Sequence, residues 1–157
     1  MNATLEKIRE DLGDRVQSWE ERRGRRFYCD VSREKIAEVA RAIVETHRLR
    51  FVTASGTDTR FAVEILYHFS MDDEGAVLSL RVALPKAPSG AEGSPPEAHL
   101  EVDSLAPFLK AAEWIEREIR EMLGVNFKGH PDPQRLLLSD DWPSGNYPLR
   151  RDREVQT

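Results

Sequence analysis

A chain of 157 residues with 39% hydrophobic content is enough for one domain, since about 150 residues can bury roughly 68–70% of their unfolded surface. Its net charge of −5 argues against nucleic-acid binding, which leans on a basic surface. Charged residues at 32% mark a soluble chain, and no apolar run approaches the roughly 18–20 residues of a membrane span.

The single cysteine, Cys29, excludes an internal disulfide and any zinc or iron–sulfur centre built from this chain's thiolates alone. The opening MNATLEKIREDLGD has neither a basic nor an apolar leader region, so export is not indicated and a cytoplasmic setting is expected.

In chain order, Leu5, Ile8 and Leu12 predict a short helix that Gly13 can end, with Val16 and Trp19 continuing the same face. The run Arg22, Arg23, Arg25 and Arg26 reads as a solvated turn, with a docking contact and then a nucleic-acid contact as the alternatives. RFYCDV reads as a strand with Phe27 and Cys29 on one face, Tyr28 and Asp30 on the other. Cys29 is then a small core residue. Ser32 is the expected cap of a second helix whose stripe is Ile36, Val39, Ala40, Ile43, Val44 and, closing the last turn, His47.

A strand over residues 49–54 is expected to turn at Gly56, Thr57 and Asp58 into another over 61–69, where Phe61, Val63, Ile65, Tyr67 and Phe69 alternate. His68 points off that face and reads as solvated. The turn Asp72-Asp73-Glu74-Gly75 leads to a third strand with Leu78, Leu80, Val82 and Leu84 on one side. Residues 85–97, rich in Pro, Gly and Ser, read as a mobile surface loop before a short strand over 99–102. The order implies a two-layer α+β domain, a mostly antiparallel sheet with helices on one face.

Residues 104–124 give the strongest helix signal: Phe108, Ala111, Ala112, Ile115, Ile119, Met122 and Leu123 form one apolar stripe, between Ser104 as N-cap and Gly124 as a left-handed stop. On the polar face, Glu113–Arg117 and Glu116–Arg120 stand four apart with the acid first. Beyond Gly124, Pro131, Pro133, Pro143 and Pro148 forbid regular structure for long, yet Phe127, Leu136, Leu137, Leu138, Trp142, Tyr147 and Leu149 supply apolar surface. This Pro-rich arm, residues 125–157 of a single domain whose body is 1–124, must lie against its own domain or another chain.

The run EREIREMLGVNFKGHPDPQRLLLSDDW followed by PLRRD resembles the signature of the thirty-kilodalton-type subunit of respiratory NADH:quinone oxidoreductase, complex I. It is similar also to related subunits of membrane-bound nickel–iron hydrogenase and formate hydrogenlyase complexes. The matching positions are Trp114, Glu116, Arg117, Glu118, Gly124, Val125, Phe127, Gly129, His130, Pro131, Arg135, Leu136, Trp142, Pro148, Leu149, Arg150 and Asp152. The chain departs from the pattern at Arg120, Glu121, Leu123 and Pro133, and AAEWIEREI and DDWPSGNYPLRRD look slightly more like the hydrogenase branch.

The resemblance implies a non-catalytic peripheral-arm subunit on the cytoplasmic side of the membrane, packed against the large subunit that bears the quinone or nickel–iron site. It implies no cofactor in this chain, with iron–sulfur clusters and flavin or nickel–iron held by partner subunits. The signature residues would then be the partner interface. For Glu116, Arg117 and Glu118 two readings stand: a solvated, salt-bridged helix face, or side chains that bond the returning GHP loop and PLR arm.

A free-standing metal-dependent enzyme is the alternative, with His130, Asp132, Asp140 and Asp141 as ligands or acid–base groups. Those residues sit around prolines without helical or strand spacing, unlike a preorganised metal site. Neither a phosphate-binding glycine motif nor a G-x-S-x-G elbow is present.

Overall fold

In the computed structural model, which describes residues 3–86 and 99–151, apolar side chains three and four apart make Ala3–Leu12 a helix (α1) that buries Leu5, Ile8 and Leu12. The helical face does not continue to Val16 and Trp19. A 3-10 turn at Gly13–Arg15 leads instead into a strand, Ser18–Arg22 (β1). That strand lies at the sheet's edge, so SWEER needs no apolar alternation and gives no strand signal. Arg22 to Arg26 form an exposed hairpin tip, as expected of a solvated turn, with Gly24 and Arg25 left-handed.

Arg26–Asp30 (β2) buries Phe27 and Cys29 and turns Tyr28 and Asp30 the other way. Burial pushes the Cys29 thiol up to about 12, so it stays protonated and acts as a core residue. Ile36–Arg41 (α2) starts later than a Ser32 cap would put it, because the Ser32 carbonyl is spent in a turn, accepting the Lys35 N–H at 3.1 Å. Its stripe buries Ile36, Val39, Ala40 and Ile43, and the last turn, Ala42–Thr46, widens to a π-helix. His47 closes it, 3.0 Å from Asp11 on α1.

Arg50–Asp58 (β3), Ala62–Met71 (β4) and Ala76–Pro85 (β5) follow. The turn expected at Gly56 lies later, at residues 59–61, where Thr59 bonds Ala62 through both its amide and its hydroxyl. Phe61 therefore falls outside β4 and is 75% exposed rather than core. A one-residue bulge between Phe51 and Thr53 leaves Val52 exposed.

The sheet order is β1-β2-β5-β4-β3, antiparallel except where β2 meets β5. Val63, Ile65, Tyr67, Phe69 and Met71 of β4 and Leu78, Leu80, Val82 and Leu84 of β5 form the buried face, clustered with the apolar residues of the helices. On the opposite face His68 is not simply solvated: it is half-buried between the Ser55 and Ser79 hydroxyls, at 3.1 and 2.8 Å, and that burial holds its pKa below the usual value.

The expected strand after the loop is Glu101–Asp103 (β6), outside the main sheet. It pairs in parallel with Asn126–Lys128 (β7), a strand between two glycines that carries no pattern of its own. Between them lies the helix Glu113–Leu123 (α3). Most of the Pro/Gly/Ser loop lies outside the described residues. Among the described residues no helix is long and apolar enough to cross a membrane.

Candidate functional site

The long helix predicted from Ser104 is shorter at its N-terminus. Residues 105–112 run through turns and a 3-10 segment before α3 begins, because Ser104 serves Glu116 rather than a helix end: its hydroxyl donates to Glu116 Oε2 and accepts the Ala106 N–H. The Glu113–Arg117 and Glu116–Arg120 surface pairs do not form. Glu116 is fully buried, and its carboxylate also accepts the Leu105 N–H at 2.8 Å and the Tyr67 hydroxyl at 3.2 Å. One carboxylate thus ties α3, the 104–106 turn and β4 together.

The inner face of α3 packs Ile119 and Leu123 over β3 at Gly56. A Cβ there would lie 2.5 Å from Leu123 Cδ1 and 3.2 Å from Ile119. This glycine marks a close approach of helix to strand, not a turn. At the C-terminus Gly124 takes φ +75°, as expected of a left-handed stop, and a Cβ on it would meet the Tyr147 ring at 2.6 Å. Gly124→Ala should cost about 2 kcal/mol through backbone strain and displacement of that ring, measured as a lowered unfolding midpoint of the isolated chain.

The arm runs along the outer side of α3 and is fastened at each turn. His130, its side chain 3% exposed, accepts the Asp132 N–H at Nδ1 (3.1 Å), so Nε2 carries the proton and donates to the Glu113 carbonyl at 2.9 Å. Nε2 also stands 3.9 Å from Glu116. Arg117 donates to the carbonyls of Gln134 and Arg135 at 2.9 and 2.7 Å and pairs with Asp132 at 3.3 Å. Glu121, buried, accepts the consecutive N–H groups of Leu136, Leu137 and Leu138. Leu149 N–H then caps the free Met122 carbonyl at 3.0 Å.

Within the arm Arg135 donates to the carbonyls of Ser139 and Trp142, both at 2.7 Å, and the Trp142 indole donates to Asn146. Its end returns to the sheet: Asp58, buried at the close of β3, accepts the Arg151 N–H at 2.7 Å and faces Lys86 at 2.5 Å and Arg150 at 4.0 Å. Asp58, which sequence reasoning assigned only to a turn, fastens the arm's end to the sheet.

An aperiodic, Pro-rich segment cannot satisfy its own backbone groups. Here charged side chains four apart on the neighbouring helix, Arg117 and Glu121, satisfy them. Of the three residues expected to bond the arm, Arg117 does so by direct bonds to it. Glu116 stands only near His130, and the Glu118 side chain makes no hydrogen bond or ion pair among the described residues. Glu121, which sequence reasoning passed over, takes that part. Its signal was the spacing itself, one helical repeat beyond Arg117. Glu121→Ala should raise amide hydrogen exchange at residues 136–138 at least tenfold and cost about 1–2 kcal/mol.

The other signature positions fall along the same path. Phe127 is buried in β7, Gly129 turns with φ +75°, Pro131 is exposed, and Pro148 is half-buried beside exposed Leu149. Trp114, Leu137 and Leu149 are 68%, 61% and 61% exposed. The alternative metal or acid–base site does not assemble. Both nitrogens of His130 are engaged and Asp132 pairs with Arg117. No group of three metal-ligating side chains occurs among the described residues.

The family described as "Respiratory-chain NADH dehydrogenase, 30 Kd subunit" matches residues 29–157. The NADH-quinone oxidoreductase C subunit of Citrifermentans bemidjiense is 31% identical over 162 residues, 99% of this chain and 90% of that protein. The F(420)H(2) dehydrogenase C subunit of Methanosarcina mazei is 32% identical over 130 residues, 82% of this chain and 75% of that one. A chain of the membrane-bound sulfane sulfur reductase, an archaeal respiratory membrane complex, superposes with TM-score 0.80 at 21% identity, covering 98% of this chain and 85% of its own. The trypsin-resistant fragment of Nqo5 superposes with TM-score 0.64 at 19% identity, over 82% and 98%. These two likenesses show the fold.

Proposed function

Because the chain belongs to the family of the respiratory-chain NADH dehydrogenase 30 kDa subunit, we propose that it is a non-catalytic peripheral-arm subunit of a complex I-like membrane-bound oxidoreductase. Membership implies association with the large, quinone- or nickel–iron-site subunit and the iron–sulfur subunits of such an assembly. Its place is the cytoplasmic side of the membrane, reached through the complex, and electrons pass through groups in its neighbours.

The contact surface is the outer side of α3 with the arm as far as it is described, residues 125–151. One observation carries this reading: α3 holds the arm along its length, the His130 side chain at its first turn and the arm's backbone at Arg117, Glu121 and Met122, while Trp114, Leu137 and Leu149 are left turned outward. Ordering the arm before docking removes much of the entropic cost of binding. Large exposed apolar side chains on such a rigid mount are what an interface needs at its centre.

The test is purification of the affinity-tagged chain from native membranes, with identification of what accompanies it. Large-subunit and iron–sulfur polypeptides should appear in equal amount with it. Recovery of the chain alone, turning over a substrate by itself, would overturn the reading.

A further inference from the structure

We propose that the cleft between the C-terminal half of α3 and the arm receives an acidic residue of a neighbouring subunit, with Arg120 as its anchor; this rests on the subunit reading above. The cleft has a volume of about 480 Å³, within the roughly 300–1,000 Å³ of ordinary ligand sites. Three arginines line it. Arg117 and Arg135 are committed to arm carbonyls. The side chain of Arg120, half-buried, makes no hydrogen bond or ion pair among the described residues.

The acids in the wall are also committed: Glu121 to the 136–138 amides, Glu101 to Asn126 at 2.8 Å and Lys128 at 3.8 Å. Three arginines against two glutamates leave the cleft positive in a chain whose net charge is −5. A place in the last turn of α3 suits a cation, yet the guanidinium's donors stay unused among the described residues.

A carboxylate matches that fork in two parallel bonds, the strongest pairing open to it. Trp142 and Tyr147 complete the wall with flat apolar surface against which an aliphatic stem can lie. The occupant that uses both features is an aspartate or glutamate of a partner chain.

The experiment compares the tagged full-length wild type with R120E and R120K, each expressed in its native membranes. The readouts are the amount of large subunit retained through washes of rising salt and the unfolding midpoint of each purified chain. R120E should retain at least tenfold less partner while melting within about 2 °C of wild type, and R120K, which keeps the charge but loses the fork, should fall between the two. Treating the R120K complex with a water-soluble carbodiimide should join the new amine to a neighbouring carboxylate as an amide, and peptide mass spectrometry should place that carboxylate in another subunit. Equal retention by R120E and wild type, or cross-links only to Glu101 and Glu121 of the same chain, would overturn the cleft proposal with the subunit reading intact. Failure of the wild type itself to retain any partner would remove both.

Discussion

Replacing Glu116 by alanine should lower the unfolding free energy of the isolated chain by about 3–5 kcal/mol, whereas glutamine should cost less than about 1 kcal/mol. Alanine strands the Leu105 N–H, the Tyr67 hydroxyl and the Ser104 hydroxyl in the interior, each a buried donor that loses its only carboxylate acceptor. Glutamine keeps an oxygen for the first two, and its amide can donate to Ser104.

The pH dependence separates charge from shape. Burial holds the Glu116 carboxyl above its usual pKa, and the bonds from Ser104 and Leu105, the nearby His130 and Tyr67 only partly offset that. The folded chain therefore keeps a proton that the unfolded chain releases as pH rises past the ordinary glutamate range. Stability from this group is lost as pH rises through that window. Glu116→Gln has no such proton, so its stability relative to wild type should rise through the same window and level off above the folded value. Asp72, held down to about 2 chiefly by its hydrogen bond from Arg50, acts oppositely, losing its contribution as pH falls. Because both proteins share Asp72, it cancels in the comparison.

The second large effect should appear only in assembly. Trp114→Ala, Leu137→Ala and Leu149→Ala together should reduce recovery of the large subunit with the tagged chain at least tenfold, while the isolated triple variant melts within about 2 °C of wild type. Exposed side chains contribute little to folding, and these three are among the most exposed apolar ones in the described residues. Trp142 is a poorer probe. Its indole holds the Asn146 carbonyl and closes the loop beneath the cleft, so truncation disturbs the arm's shape as well as its surface. A triple variant that lost partners only in proportion to lost stability would return these residues to the domain's own packing.

Much of the fold was legible because its elements announce themselves by periodicity: α1 and α2 through spacings of three and four, β4 and β5 through strict alternation. What was illegible depended on partners distant in sequence. β1 is an edge strand and β7 is held only by β6, so neither needed a pattern. Gly56 read as a turn because a glycine required by an approaching helix looks the same in sequence as one required by a bend. At the site, neither reading of Glu116, solvated face or arm contact, reached its actual role, since its donors come from residues 67, 104 and 105. The arm's path was implied by its apolar content and prolines, but its fastening by Glu121 and Asp58 required the three-dimensional neighbours.

Hydrogen exchange followed by mass spectrometry, on the chain alone and in the purified complex, tests the central claim most directly. In the isolated chain residues 134–151 should already exchange far more slowly than an unfolded segment, because Arg117, Glu121 and Asp58 hold them. On assembly, added protection should concentrate in α3 and this segment. An arm that exchanges freely until partners bind, or protection that grows on the sheet face bearing His68 while the arm stays unchanged, would contradict the account.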